Sequence, residues 1–241
     1  MKYAGIDGCK KGWVCICLDD NGQWEIGIYE NIEEIFKKHK QIETALIDVP
    51  IGLPYKEKRA CDTFCRKLLT KKRASSVFPV PSREAVYAID YKEACLKNEE
   101  ILEKKLSKQT WNISNKIKEI DKFLMKKPKY QYILKEAHPE LNFYGWNLDE
   151  PMAFSKKTLE GRKERAALLS KYLKESERII SFAQNHFKSS QINSDDVLDA
   201  MVLALSATKS KALVSLPGYT EKDKQGLDMK IWYFPKNEEA C

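Results

Sequence analysis

The sequence contains no uncharged apolar run of about 18 residues, the length a helix needs to cross a bilayer, so no membrane span is expected. Its opening, Met1-Lys2-Tyr3-Ala4-Gly5-Ile6-Asp7, carries charge within the apolar stretch and no small-residue cleavage site, which argues against a signal peptide. No internal repeat or low-complexity tract is present. The 7 cysteines form no pairing motif: Cys15 and Cys17 alternate in a strand-like run, and Cys61 and Cys65 lie four apart in a helical one. Neither is a zinc-knuckle or redox spacing, and reduced thiols in a cytoplasmic protein are expected. Arginine is scarce, 7 against 35 lysines.

What is present suits one globular unit. With 43% apolar and 32% charged residues, the 241-residue chain can bury a core, and a single domain over 1–241 is expected. Residues 97–130 hold 10 lysines and 5 acids, most of the net charge of +7. Such a stretch fits a nucleic-acid-binding surface and equally a solvated helical face.

The pattern predicts strands at 2–7, 12–18 and 23–29, the last two joined at the turn signal Asp19-Asp20-Asn21-Gly22. A short helix follows, with Asn31 as N-cap and Ile32, Ile35 and Phe36 inward. Then comes a buried strand at 43–49. From about 50 to 130 the chain reads as a helical insertion, with helices near 57–71, 82–97 and 113–126. Strand character returns at 131–137, helices at 161–187 and 195–209, and a last strand at 228–235.

Asp7 and Asp48 each end an apolar strand, Ala4-Gly5-Ile6-Asp7 and Ala45-Leu46-Ile47-Asp48. If those strands are neighbours, both carboxylates emerge at one sheet edge, where ligands bind in α/β sheets. The bland alternatives are a turn aspartate at Asp7 and a cap at Asp48. Asp196 and Asp199, three apart, share a helix face. Ser194 as N-cap accounts for Asp195 and Asp196 as first-turn acids. It does not account for Asp199, which continues into Ala200-Met201-Val202-Leu203-Ala204-Leu205. Buried carboxylates are costly unless paired or metal-bound. A divalent cation shared by Asp7, Asp48, Asp196 and Asp199 removes that cost, and all-oxygen ligands favour Mg²⁺ or Mn²⁺. Glu136 and His138 share a side of the later strand. One of Glu136, His138 and Glu140 completes the metal shell or assists proton transfer, or the group is a hydrogen-bonded strand end.

Of the 7 arginines, Arg59, Arg66, Arg73 and Arg83 fall within residues 59–83, beside Ser75, Ser76 and Ser82. Guanidinium forks and small hydroxyls suit phosphate recognition, so Arg59, Arg66, Arg73, Ser75, Ser76 and Arg83 are candidate substrate contacts. The competing reading is an Arg59–Asp62–Arg66 surface ion-pair ladder. Arg162 and Arg165 are weaker candidates for the same task.

Several segments together resemble one known family: Gly5-Ile6-Asp7-Gly8 with Gly12-Trp13, Asp48-x-Pro50-Ile51-Gly52-Leu53, Arg59-x-Cys61-Asp62, Ser75-Ser76-Val77-Phe78, His138-Pro139-Glu140, Asp195-Asp196-x-x-Asp199-Ala200, and Asp223-x-x-Gly226-Leu227-Asp228-Met229. This is the domain of unknown function 429 family, described as predicted RNase H-like nucleases. The resemblance implies an α/β ribonuclease H-like fold, a mixed five-stranded sheet with helices on both faces. It also implies that acids of the first strand, fourth strand and last core helix bind two metals to hydrolyse phosphodiesters of nucleic acid. Two alternatives stand beside it. One is a catalytically silent nucleic-acid- or protein-binding member of the fold. The other is an ATP-binding protein of the actin-like or sugar-kinase type, whose first phosphate loop Gly5-Ile6-Asp7-Gly8 also resembles.

Overall fold

The computed structural model describes residues 1–236. The chain begins with β1 (Lys2–Cys9), β2 (Gly12–Asp19) and β3 (Trp24–Tyr29), each antiparallel to the one before. Asp19 fixes the turn after β2 by accepting from the amides of Asn21 (2.9 Å) and Gln23 (2.8 Å). Helix α1 (Ile32–Lys38) is capped by the Asn31 side chain on the Glu34 amide and buries Ile32, Ile35 and Phe36, as the spacing predicts. β4 (Ile42–Ile47) then runs parallel to β1.

Between β4 and the next strand lie α2 (Ala60–Leu68), α3 (Thr70–Arg73), α4 (Arg83–Val86), α5 (Tyr91–Leu102), α6 (Lys108–Asn112) and α7 (Ser114–Lys126). β5 (Leu134–Glu136) follows, parallel to β4. The strand order is β3-β2-β1-β4-β5, the mixed five-stranded sheet expected of a ribonuclease H-like α/β fold. After it come α8 (Pro139–Trp146), α9 (Leu159–Tyr172), α10 (Ser176–His186) and α11 (Ser194–Ala207). A small sheet of β6 (Val214–Leu216) and β7 (Ile231–Tyr233) completes the described chain.

Side-chain alternation sorts the two faces of the sheet. Ala4 and Ile6 join Trp13, Cys15, Ala45 and Ile47 on one face, under α1 and α7. Tyr3 joins Val14, Ile16, Leu18 and Leu46 on the other, under α8 to α11. Helix α7 therefore covers the sheet with Ile117, Ile120, Phe123 and Leu124, although it lies in the stretch expected to form the insertion. Helix α11 is buried on every side from Asp196 to Ala207, the signature of a central helix. It touches β1 at Gly5, where an added Cβ would overlap the Ala200 carbonyl and the Ala204 amide.

Element boundaries depart from expectation where local breaks intervene. The left-handed φ of +53° at Thr70, the first residue of α3, breaks α3 from α2, and the chain leaves helical geometry at Leu173, separating α9 from α10. Pro139 does not end a strand. It opens α8 at a first-turn position, where a missing amide hydrogen costs nothing. The terminal strand is shorter than predicted and pairs with β6, which lacks a strong strand pattern. Among the described residues, no helix is long and apolar enough to cross a membrane, and Cys9, Cys15, Cys17, Cys61, Cys65 and Cys95 are free thiols.

Because α11 and β1 meet backbone to backbone, Gly5→Ala should destabilise the fold by about 3 kcal/mol or more. Urea unfolding measures this, and an unchanged midpoint would show that the contact is looser than described.

Candidate metal centre

The parallel register pairs Ile6 with Ile47, and the Asp48 amide donates to the Ile6 carbonyl at 3.0 Å. Asp7 and Asp48 therefore stand side by side, although Asp7 lies inside β1, which runs on to Cys9, and only Asp48 follows the end of its strand. Alternation with Tyr3 and Gly5 turns Asp7 toward α11. Since α11 meets Gly5 through Ala200, the preceding residue, Asp199, is delivered over Asp7. Asp7, Asp48 and Asp199 each present a carboxylate oxygen within 4.8 Å of the others. Oxygens bound to one octahedral Mg²⁺ lie about 3.0 Å apart when adjacent and about 4.2 Å when opposite, so an ion would draw the three carboxylates together.

Burial makes this cluster electrostatically tense. Asp7 and Asp199 are buried and Asp48 is half-buried. Two unit charges at such separations repel by about 3–4 kcal/mol at an effective dielectric of 20. Burial, with Asp48 and Asp199 adding to it, holds the Asp7 carboxyl well above the usual range. Burial also raises Asp48, opposed by His138 when that ring is protonated and by Lys156. Asp199 is pushed up to about 7 by burial, despite Lys156. Asp7 Oδ1 accepts from the Gly8 amide at 2.7 Å. Asp199 Oδ2 accepts from the Lys156 ammonium. Asp199 Oδ1 is buried and has no hydrogen-bond partner among the described residues. A pocket of hard oxygens with one buried lone-pair group unused fits Mg²⁺ or Mn²⁺.

The other expected acids are placed differently. Asp196 is the third residue of a capping box: its Oδ2 accepts from the Asn193 amide at 2.8 Å. The N-cap is thus Asn193 rather than Ser194. Asp196 stays close enough to raise Asp7 but stands outside the three-carboxylate group. Glu136 is locked against Arg59 at 2.6 and 2.8 Å and accepts from the Ile51 amide at 2.6 Å, so it is not free to ligate. Glu140 is paired with buried Arg165 at 2.6 and 2.8 Å. His138 lies beside Asp48. Its Nε2 sits 3.3 Å from the Ser76 carbonyl, and its Nδ1 is buried without a partner among the described residues.

Much of the guanidinium capacity expected for phosphate is taken up by the protein itself. Arg59 is 1% exposed, and besides Glu136 it binds Asp62 at 2.6 Å and the Ile51 and Gly52 carbonyls. The expected surface ladder is a buried clamp. Arg66 donates to the Val77 carbonyl. Arg73 donates to the Met152 carbonyl at 2.9 Å, and Arg83 joins Asp121 to Asp223. Arg59 ties the segment after β4 to β5, and Arg59 and Arg83 spend both terminal nitrogens on the protein, whereas Arg66 Nη1 and Arg73 Nη2 have no partner among the described residues. Ser76 bonds the Arg73 carbonyl at 2.7 Å, while Ser75 is exposed, in the turn that borders His138. Of the weaker candidates, Arg165 is buried on Glu140, and Arg162 donates to the Lys157 carbonyl at 3.1 Å.

Sequence reasoning misses Lys156, one lysine among 35 with no periodic signal around it. Burial opposes its charge, yet Asp199, Asp7 and Asp48 together raise its pKa above the ordinary lysine range. Lys116 approaches from the opposite face, where its stem packs against Gly8. Its ammonium lies 4.3 Å from the centre of the Trp13 ring. Lys118 and Lys122 likewise lie over Tyr87, at 4.9 and 5.9 Å.

A family model described as "Protein of unknown function (DUF429)" matches residues 5–221. The comparisons with curated proteins and with solved structures find no match.

Two outcomes follow from the geometry. Between the ordinary aspartate value of 3.8 and about 7, folded Asp199 retains a proton that the unfolded chain has lost. Its stabilising contribution is therefore complete below that window and is lost as pH rises through it. In metal-free protein, the fall in Tm over that range should be smaller in Asp199→Asn than in wild type; equal slopes would contradict the burial described. Arg59→Ala should cost about 3–5 kcal/mol by stranding Asp62 and Glu136. An unchanged urea midpoint, with weakened nucleic-acid binding instead, would return Arg59 to a substrate role.

Proposed function

The chain belongs to the DUF429 family, and from its carboxylate centre we propose that it is a metal-dependent phosphodiester hydrolase acting on nucleic acid. The observation that carries this reading is the convergence of Asp7, Asp48 and Asp199, from three distant segments, within 4.8 Å. Purely structural carboxylates acquire partners, as Glu136, Glu140 and Asp62 do. These three stay under-compensated, and Asp199 Oδ1 has no partner among the described residues.

In this reading Asp7, Asp48 and Asp199 hold Mg²⁺ or Mn²⁺. Bound there, the cation supplies Lewis acidity at a phosphoryl oxygen. The Gly8 amide fixes the rotamer of Asp7. His138, with Nε2–H directed to the Ser76 carbonyl, keeps Nδ1 as a proton acceptor beside Asp48. With much of the guanidinium capacity spent on the protein, phosphate attraction falls chiefly to lysines, and α7 brings Lys116 against Gly8, next to Asp7. Free thiols fit a cytoplasmic setting.

One observation favours a silent binding protein instead: Lys156 already gives Asp199 a cation. The nucleotide-cleft reading has less support, because the described residues form one five-stranded sheet and a two-lobed cleft needs two such units.

Purified protein should cleave some RNA or DNA in Mg²⁺ or Mn²⁺ and stop with EDTA. Asp7→Asn and Asp48→Asn should each lower the rate by roughly 10³-fold or more. Cleavage that survives either substitution would not belong to this centre.

A further inference from the structure

We propose that Lys156 occupies the place of a second metal, so that the centre takes one divalent cation rather than two. This rests on the metal reading above and refines it. A pair of divalent ions sits about 3.5–4 Å apart and shares carboxylates. Here the outer oxygen of Asp199 already receives the Lys156 ammonium, and only Oδ1 of this 1% exposed residue is unpartnered. Asp196, the other acid on that helix face, spends Oδ2 on the Asn193 amide and side chain.

The charge balance agrees. Asp7, Asp48 and Asp199 with Lys156 leave two negative charges, the complement of a single divalent ion. Around them, Glu140 is matched by Arg165, and Lys116 is near enough to feel the charges of Asp7 and Asp196.

Lys156 is also held in position. Glu164 accepts from the Ala153 and Phe154 amides at 2.7 and 3.0 Å. Arg73 grips the Met152 carbonyl, and Arg165 grips that of Phe154 at 3.1 Å. Thr158 N-caps α9 and bonds back to the Ser155 carbonyl at 2.9 Å. Gly161 admits this strap: a Cβ there would overlap the Ser155 carbonyl. So many backbone anchors fix the residue in place before any ion arrives, as an ion-replacing side chain requires.

The test is the stoichiometry of Mn²⁺ binding, by calorimetry and by EPR of free Mn²⁺, in the full chain and in Lys156→Met. Wild type should bind one Mn²⁺ at the centre, an ion lost in Asp7→Asn, and Lys156→Met should bind two. Wild type binding two would overturn the inference and leave the metal reading standing. The inference also falls, with the metal reading intact, if Lys156→Met binds one ion with unchanged affinity; wild type binding none while Lys156→Met binds one would remove both the inference and the metal reading of the native chain. No binding by either protein would remove the metal reading itself. Should Lys156→Met fail to fold by circular dichroism, Lys156→Gln replaces it, and the wild-type count already decides between one ion and two.

Discussion

The close approach of α11 to β1 at Gly5 is the constraint on which the rest depends. With no side chain there, the helix backbone lies directly on the strand, and its apolar residues must fill the space beneath the sheet. That position determines where Asp199 goes. One residue from the contact, it has no path to solvent and faces the carboxylates of Asp7, inside β1, and Asp48, just past β4. A helix held further away would let Asp199 reach water, and the three acids would be ordinary surface charges.

Buried charge in this molecule is of two kinds, and the contrast marks the centre. Arg59 with Asp62 and Glu136, Arg165 with Glu140, and Arg83 with Asp121 and Asp223 are satisfied networks. Breaking one is costly because it strands its partners. Asp7, Asp48 and Asp199 are not satisfied: their mutual repulsion is only partly offset by Lys156. Two of the satisfied networks border the unsatisfied one. Glu136 and Glu140 flank His138 in sequence, and Arg165 also anchors the strap that carries Lys156. Stability spent on a tense, pre-organised cluster is typical of functional sites.

The strands and the three acids are legible in the sequence because their signals are local. An apolar run ending in aspartate identifies itself, and an acid inside an otherwise apolar helix has few explanations. The order of strands and the family likeness then bring Asp7, Asp48 and Asp199 together. The arginines mislead because residue type shows what a guanidinium can bind, whereas its partner is set by tertiary packing. Arg59 meets Glu136 across 77 positions of chain, a contact no spacing rule reveals. Helix spacing alone assigns Asp196 to the metal, while the cap one residue earlier than expected claims one of its oxygens. Lys156 is invisible for the opposite reason: nothing separates it from the lysines around it until the fold places it on Asp199.

Whether Asp7, Asp48 and Asp199 form one divalent-cation site can be seen in the anomalous diffraction of a crystal soaked in Mn²⁺. A shared site requires a peak about 2.0–2.3 Å from an oxygen of each of the three carboxylates, including Asp199 Oδ1. Saturating Mn²⁺ with no peak between them would contradict it.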